Sequence, residues 1–212
     1  MQLTEQQNDA LTELINIAFS RTAAALSEIT GQRVLIGAPQ VAISPIGELA
    51  ATLSQFIEGQ VTSIHQVFSG PVGGDALLLL NREGASALSD LLTGGDGQAQ
   101  RLDASGREVL TKVGNILLNA CLGMFGDLLH VHLRFAVPLL HLEELDDLLK
   151  SLVVGKDELR YALVVHTTFN LRDSAIGGYL VIVLGVTSLD RLLQAVETWE
   201  EEAMNTRAKA SP

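Results

Sequence analysis

The feature that most constrains the fold of this chain is an internal repeat. Residues 9–39 (DALTELINIAFSRTAAALSEITGQRVLIGAP) align without a gap with residues 108–138 (EVLTKVGNILLNACLGMFGDLLHVHLRFAVP), 99 residues further along. The aligned identities include Leu11 and Leu110, Thr12 and Thr111, Asn16 and Asn115, Ile17 and Ile116, and Pro39 and Pro138. A repeat of this kind indicates two copies of one supersecondary unit, which must pack together to bury a common core.

The remainder of each half follows the same pattern. SIHQVFSG (63–70) and YALVVHTTFN (161–170) are rich in β-branched and aromatic residues, as strands are, and each leads into a turn that contains glycine. The apolar runs ALLLLN and YLVIVLGV then predict second strands, and the segments after them have helical spacing. Asn81 and either Thr187 or Ser188 are the expected N-caps of those helices. Each half is therefore predicted to contain a helix, a strand, a hairpin and a second helix.

These elements predict an α/β (α+β) fold with an internal pseudo-twofold repeat. The hairpins of the two halves would join into one antiparallel sheet with the helices packed against it. We place the half-repeats at about 9–95 and 108–203 of a single domain that covers residues 1–204. The glycine-rich segment 94–100 would join them, and residues 205–212 are expected to form a disordered tail.

Composition excludes several classes of function. The 212 residues are 47% apolar and 18% charged, which is typical of a globular protein. The net charge of −11 disfavours binding to nucleic acid or to an anionic membrane. The longest apolar runs are too short to cross a bilayer, and the polar start MQLTEQQNDA does not resemble a signal peptide. We therefore expect a cytoplasmic protein without membrane insertion.

The first helix carries a polar strip on an otherwise apolar sequence. At 100° per residue, one side of the helix collects Asp9, Glu13, Asn16, Ser20, Ala23 and Ser27. The opposite side is broad and apolar, which suits packing against a sheet. A purely structural interpretation would leave Asp9 at the positive end of the helix dipole and Glu13 in solvent. It would not explain Asn16, because asparagine is a mediocre helix former and recurs at Asn115 in the second half.

Asp9, Glu13, Asn16 and Pro39 form the pattern Asp-x3-Glu-x2-Asn, followed 22 residues later by proline. This pattern resembles the signature of the CheC/CheX/FliY phosphatases of bacterial chemotaxis. The segment NIA…AAALSEITGQRV is also similar to the run that follows the motif in that family, and the resemblance extends over nearly the whole chain through the repeat. It implies a substrate, namely the acyl phosphate on the aspartate of a response-regulator receiver domain, CheY or a relative.

The resemblance also implies roles for the motif residues. Asn16 would orient the attacking water, and Glu13 would pair with the active-site lysine of the receiver. Asp9 and Pro39 would support docking of the partner, Pro39 by setting the course of the chain after the helix. Independently of the resemblance, the helical wheel places Ser20 in a strip of small residues that would let a partner approach closely. Phosphoryl transfer depends mainly on positioning and on charge neutralisation, and an amide can hold a water because it both donates and accepts hydrogen bonds.

The resemblance bears on cofactors and partners as well. The receiver would supply Mg²⁺ and a lysine, so no cofactor or metal of this chain's own is expected. Some members of the family are monomers and others are dimers, and some are modulated by CheD. We therefore expect a receiver domain as the partner and either a monomer or a homodimer. Regulation by a CheD-like protein is a further possibility that the resemblance implies.

The second half departs from the signature. Glu108 and Lys112 stand where the family has aspartate or serine and glutamate, whereas Asn115 and Pro138 remain. A lysine here would repel the lysine of the receiver, so this degenerate second site is predicted to be inactive or weak. Glu108 and Lys112 should instead pair within the helix at i, i+4 spacing. Together with Ile15, which stands where the family often has a small residue, this leaves an alternative function open. The chain would then be a non-catalytic binding module for a receiver or for a chemotaxis or flagellar-switch protein.

Other polar residues predict no further chemistry. His130 and His132 lie on a predicted strand without the additional ligands that zinc requires. Cys121, the only cysteine, aligns with Thr22 on the buried face and is expected to be an inert core thiol. The segment GPVGGD lacks the ending of a phosphate-binding loop and predicts a hairpin turn. Residues 141–150 predict a solvated amphipathic helix.

Overall fold

The computed structural model describes most of the chain. The described residues are 3–31, 33–54, 57, 59–93, 103–153, 160–171 and 174–210. The predicted joint at 94–100 and residues 211–212 of the predicted tail lie outside these ranges, whereas residues 205–210 of that tail are helical.

The same order of elements occurs twice. The first half contains α1 (Glu5–Thr30), β1 (Val34–Ile36), β2 (Gln40–Pro45), a 3-10 turn (Ile46–Glu48), α2 (Leu49–Leu53), β3 (Gln60–Ser69), β4 (Gly74–Asn81) and α3 (Arg82–Thr93). The second half contains α4 (Ala104–Leu128), β5 (Arg134–Phe135), β6 (Leu139–Glu144), α5 (Leu145–Val153), β7 (Arg160–Leu171), β8 (Ser174–Gly185) and α6 (Val186–Ala210). This confirms the predicted repeat. Each half also has an additional short strand and an additional short helix ahead of its hairpin.

The eight strands form one antiparallel sheet in the order β1-β7-β8-β4-β3-β5, in which β2 also pairs with β7 and β6 also pairs with β3. The two hairpins meet at its centre, where β4 pairs with β8 through Leu77 and Val181. At one edge Ile36 pairs with Phe169, and at the other edge Phe135 pairs with Phe68. The sheet therefore has the pseudo-twofold symmetry of the sequence, and the predicted α+β fold is confirmed.

Helices cover both faces of the sheet. Neighbouring residues Leu77 and Leu78 on β4 belong to two different buried clusters, because successive side chains of a strand point to opposite faces. The long helices α1, α3, α4 and α6 pack on one face, and the short helices α2 and α5 pack on the other. The central strands are therefore apolar on both sides, which explains why ALLLLN and YLVIVLGV are continuous apolar runs.

Three local predictions need comment. Asn81 caps α3, since its Oδ1 accepts a hydrogen bond from the backbone N–H of Gly84 at 2.7 Å. The N-cap expected at Thr187 or Ser188 is wrong, because α6 begins at Val186 directly after β8. The helix predicted for 141–150 is wrong in its first part, because residues up to Glu144 pair with β3 and only α5 is helical.

The H-x-H pair does not lie on a strand. His130 is in a turn with φ 53°, and the next strand, β5, begins only at Arg134. The prediction of a strand through both histidines was therefore wrong.

Helix α4 is, within the described residues, the one helix long and apolar enough to cross a membrane. Its most apolar window has a mean hydropathy of 1.4 and is half buried inside the fold. A core helix of a protein that never enters a membrane has the same properties, so this is weak support for a membrane span.

Candidate functional site

Helix α1 is fixed at its start by a reciprocal cap. The backbone N–H of Gln7 donates to Thr4 Oγ1 at 3.1 Å, and the backbone N–H of Thr4 donates to Gln7 Oε1 at 2.9 Å. The same glutamine side chain donates through Nε2 to Glu197 Oε1 of α6 at 2.8 Å. The capping box satisfies two of the free N–H groups of the helix, and the bond to α6 holds the helix against its neighbour.

The predicted polar strip of α1 lies on its solvent side. Asp9, Glu13, Asn16 and Ser20 are all exposed. Ile15, by contrast, is completely buried and lies in the core under the sheet-facing side of the helix. The bulk of Ile15 therefore does not occupy the surface on which Asn16 stands.

The side chains of Glu13 and Asn16 are available for contact with another molecule. Among the described residues, neither makes a hydrogen bond or an ion pair, and the same holds for Asp9. Ser20 is close to Asn16 but donates its hydroxyl to the backbone carbonyl of Asn16, at 2.8 Å. The amide of Asn16 thus keeps its donor and its acceptor available to an incoming molecule.

The far end of the strip is used within the fold. Ser27 accepts a hydrogen bond from the backbone N–H of Val34 at 2.9 Å, which ties β1 to α1. Pro39 is buried between β1 and β2, and nearby the carbonyl of Gly37 accepts a hydrogen bond from Thr167 Oγ1 at 2.9 Å. Pro39 is thus enclosed by its own fold, and its expected role in setting the course of the chain after the helix stays a prediction.

The second half has the predicted ion pair. Lys112 Nζ lies 2.8 Å from Glu108 Oε1, and both side chains are exposed. The hydrogen bond and charge of Lys112 lower the pKa of the Glu108 carboxyl. The expected i, i+4 pair on α4 is confirmed.

Asn115 of the second half is held by other side chains. Asn119 Nδ2 donates to Asn115 Oδ1 at 3.0 Å, and Asn119 Oδ1 accepts from Gln66 Nε2 at 3.1 Å. Gln66 Nε2 also donates to the carbonyl of Ala136 at 2.9 Å. We call Gln66, Asn119 and Asn115 the amide clamp, because together they fix the orientation of the Asn115 amide.

The first half has no such clamp because its residues differ. Asn119 corresponds to Ser20, and Gln66 corresponds to Thr167, whose hydroxyl donates to the carbonyl of Gly37. The sequence interpretation missed the clamp. Its one visible signal was the i, i+4 spacing of Asn115 and Asn119, which places both amides on one side of α4.

Comparison with known proteins places this arrangement in context. No protein-family model matches the chain. The flagellar motor switch phosphatase FliY of Bacillus subtilis is 33% identical over 96 residues, which are 45% of this chain and 24% of that protein. The crystal structure of Thermotoga maritima FliY matches with a TM-score of 0.75 over 93% of this chain and 99% of that chain, at 18% identity. The chain has a CheC/CheX/FliY-like fold.

A protein other than FliY also has a similar structure. The middle domain of FliM from Helicobacter pylori matches with a TM-score of 0.65 over 91% of this chain and 99% of that chain, at 16% identity. FliY and the FliM middle domain share this fold, so the fold by itself does not assign an activity to this chain. The chain spans only about a quarter of the length of B. subtilis FliY.

Two cavities flank the motif helices of this CheC/CheX/FliY-like fold. One, of about 750 Å³, lies between α1, α4 and α6 and is lined by Ile17 and Arg21 beside the polar strip. The other, of about 360 Å³, lies beside α4 and is lined by Lys112, Asn115 and Pro138. In the second half, therefore, the asparagine and the proline of the motif converge on one cavity.

The remaining candidates show no further site. No group of three or more His, Cys, Asp or Glu side chains that could hold a metal occurs in the part of the chain that the structure describes. Cys121 is completely buried, and burial raises the pKa of its thiol to about 12. The prediction of a core thiol is confirmed, and because a buried thiol that stays protonated is unreactive, its inertness stays a prediction.

Proposed function

We propose that this protein is a phosphatase that hydrolyses the acyl phosphate of a phospho-aspartyl receiver domain. The observation that carries the proposal is the exposed strip of α1, on which the side chains of Glu13 and Asn16 have no partner among the residues that the structure describes. Polar side chains that are ordered on a capped helix yet unpaired are suited to engage a second molecule.

The chemistry follows from the two side chains. The amide of Asn16 can accept a hydrogen bond from a water and donate one to a phosphoryl oxygen, and so hold the water in line without acting as a base. The carboxylate of Glu13, one turn earlier, would pair with the active-site lysine of the receiver. Mg²⁺ would belong to the receiver, and this chain would contribute positioning.

The second half would not act in the same way. Lys112 presents a positive charge where Glu13 presents a negative one, and the amide clamp occupies the oxygen of Asn115. We therefore assign activity to the first half only. A cytoplasmic location, a monomeric or dimeric state and a CheD-like modulator remain predictions.

The test is the decay of a phosphorylated cognate receiver with substoichiometric amounts of this protein. We expect turnover by the wild type, a loss of about 100-fold or more in kcat for Asn16→Ala, and a loss of about tenfold or more in kcat/KM for Glu13→Ala.

Matched controls exist on the same helix and in the other half. Glu28→Ala removes an exposed carboxylate from α1, away from the motif, and Asn115→Ala removes the equivalent asparagine from α4. Both should retain wild-type turnover. A wild type without turnover, or full activity of Asn16→Ala, would show that the proposal is wrong.

The second candidate function is a binding module without hydrolysis, and the likeness to FliM favours it. The same strip on α1 would then dock on a receiver or a flagellar-switch protein. A binder can change the lifetime of the phosphorylated receiver only in proportion to the complex formed, whereas an enzyme acts at catalytic amounts. Titration of the decay rate against protein concentration therefore separates the two candidates.

A further inference from the structure

The cavity of about 750 Å³ lies between α1, α4 and α6, and the proposed catalytic residues do not line it. Its lining includes the apolar side chains of Leu14, Met124 and Trp199. A cavity of this size between helices, with an apolar and partly aromatic lining, is typical of sites that hold small organic molecules. A bare inorganic ion, with a volume of roughly 30 Å³, would leave most of the space empty.

Two arginines line the cavity from different helices. Arg21 belongs to α1 and Arg191 belongs to α6, and both residues are exposed. Among the residues that the structure describes, neither makes an ion pair or a hydrogen bond through its side chain. Both guanidinium groups are therefore accessible and available, and a guanidinium is well suited to bind a carboxylate, phosphate or similar anion.

Two carboxylates line the same cavity. Glu202 already has a partner within the fold, whereas Asp127 is exposed at the end of α4. The available charges of the lining are thus two guanidinium groups and one carboxylate, in a chain with a net charge of −11. The cavity is a locally positive site on an acidic protein, and this favours an anionic ligand over a cationic one.

His130 adds a third polar group to the lining. In the described part of the chain it is the one non-glycine residue with a positive φ, 53°, and the equivalent residue of the first half is Gly31 with φ 65°. Glycine adopts this conformation without a steric penalty, whereas histidine does not. Residues in such unfavourable conformations often mark functional positions, and the imidazole can supply a hydrogen-bond donor here.

We propose that this cavity binds a small organic anion with a flat apolar body. The anionic group would accept hydrogen bonds from Arg21 and Arg191, and the ring of His130 would be a further donor. The apolar body would lie against Trp199 and Met124. The proposal does not depend on receiver hydrolysis, because the proposed catalytic residues take no part in it.

Trp199 is the only tryptophan of the chain, so its fluorescence reports binding in this cavity. The probe is 8-anilinonaphthalene-1-sulfonate, titrated into the full chain. The neutral comparison is N-phenyl-1-naphthylamine, which has the same aromatic body without the sulfonate. We expect both probes to quench the Trp199 emission saturably. Raising NaCl from about 0.05 M to about 0.5 M should weaken the sulfonate probe about threefold or more relative to the neutral probe, because salt screens the arginine charges.

Variants test the same contacts from the protein side. Arg21→Gln and Arg191→Gln should each weaken the sulfonate probe about fivefold or more and change the affinity of the neutral probe by less than about twofold. Arg107→Gln is the matched control, since it removes an exposed arginine of α4 that does not line the cavity, and it should change neither affinity. His130→Gly should weaken the sulfonate probe without lowering the urea midpoint, because glycine suits the positive φ.

The salt comparison of the two probes needs no variant, so the test remains decisive even if a variant does not fold. No saturable quenching by the sulfonate probe, an equal salt dependence of the two probes, or equal effects of Arg107→Gln and Arg21→Gln would each overturn the proposal. A chain without phosphatase activity that showed the expected probe binding would overturn the proposed function and support this one.

Discussion

Asn119 donates a hydrogen bond to the side-chain oxygen of Asn115 at 3.0 Å. At the equivalent place in the first half, Ser20 reaches only the backbone carbonyl of Asn16, at 2.8 Å. The two copies of the motif asparagine therefore differ in freedom although the sequence around them is repeated. This difference adds to the change of Glu13 for Lys112 and gives a second physical reason to propose activity for the first half only.

The amide clamp predicts that activity can be moved to the second half. In a protein silenced by Asn16→Ala, the triple change Gln66→Thr, Lys112→Glu and Asn119→Ser gives β3 and α4 the residues that the first half has at these three positions. The Asn115 amide is then free and has a carboxylate one turn before it, so receiver dephosphorylation should return to within about tenfold of wild type. The rate of receiver decay measures this.

The control for this prediction is Asn115→Ala added to the quadruple variant, which should abolish the recovered activity. Lys112→Glu alone in the silenced protein should recover less, because the clamp persists. Full recovery from Lys112→Glu alone would contradict a role for the clamp, provided that the wild type is active.

Removing one member of a buried ion cluster, on the face of the sheet that α2 and α5 cover, should strongly lower the free energy of unfolding. Asp75 Oδ2 lies 2.7 Å from Arg160 Nη2, and Asp75 Oδ1 lies 3.2 Å from His65 Nε2. Asp75 and Arg160 are 7% and 6% exposed. Asp75→Asn leaves the charge of Arg160 buried without its carboxylate, which should lower the free energy of unfolding by about 3–5 kcal/mol. Urea denaturation measures the loss.

The matched control for the ion cluster is an exposed pair. Asp147 lies 3.4 Å from Lys150, and both side chains are about 70% exposed. Asp147→Asn should change the free energy of unfolding by less than about 1 kcal/mol. Equal effects of Asp75→Asn and Asp147→Asn would show that burial of the cluster contributes little.

Two glycines of α4 should respond oppositely to alanine. A Cβ on Gly114 would lie 2.6 Å from Ile64 Cγ2, whereas a Cβ on Gly123 would meet nothing within 4 Å. Gly123→Ala should stabilise the protein by up to about 1 kcal/mol through helix propensity. Gly114→Ala should destabilise it by about 1–3 kcal/mol, because overpacking against β3 outweighs the same gain. Urea titration of both variants tests this, and stabilisation by Gly114→Ala would contradict the packing of α4 on β3.

The buried thiol predicts a pH dependence. Burial raises the pKa of Cys121 to about 12 from its ordinary value of 9.0, so the folded protein holds this proton more tightly than the unfolded chain. The contribution of the buried, protonated thiol to the free energy of unfolding is complete below pH 9 and is lost as the pH rises from 9 towards 12. A thiol reagent at pH 8 should therefore react slowly with the native protein and rapidly in urea.

Cys121→Ala is the control, since it should show no thiol reaction and should lose this part of the alkaline decline in stability. Rapid reaction of the native wild type would show that Cys121 is accessible.

The first motif could be predicted because its information is local. Asp9, Glu13 and Asn16 fall on one side of a helix by the helical period alone. The repeat marks Asn115 and Pro138 without any knowledge of the fold, and the i, i+4 spacing is enough to pair Glu108 with Lys112. For residues 141–144 the same local reasoning gave the wrong element. The sequence HLEE looks helical, but its pairing with β3 makes it a strand.

The sequence by itself determined the two halves, the order of their main elements and the polar strip on α1. The tertiary structure alone decided that Gln66 of β3 lies against Asn119 of α4, that Val137 borders a cavity with Asn115, and that Arg160 reaches Asp75. Helical periodicity and repeats are properties of neighbouring residues and can be seen in the printed sequence. A contact between residues 53 positions apart depends on how the sheet and the helices pack, and only the folded chain brings those side chains together.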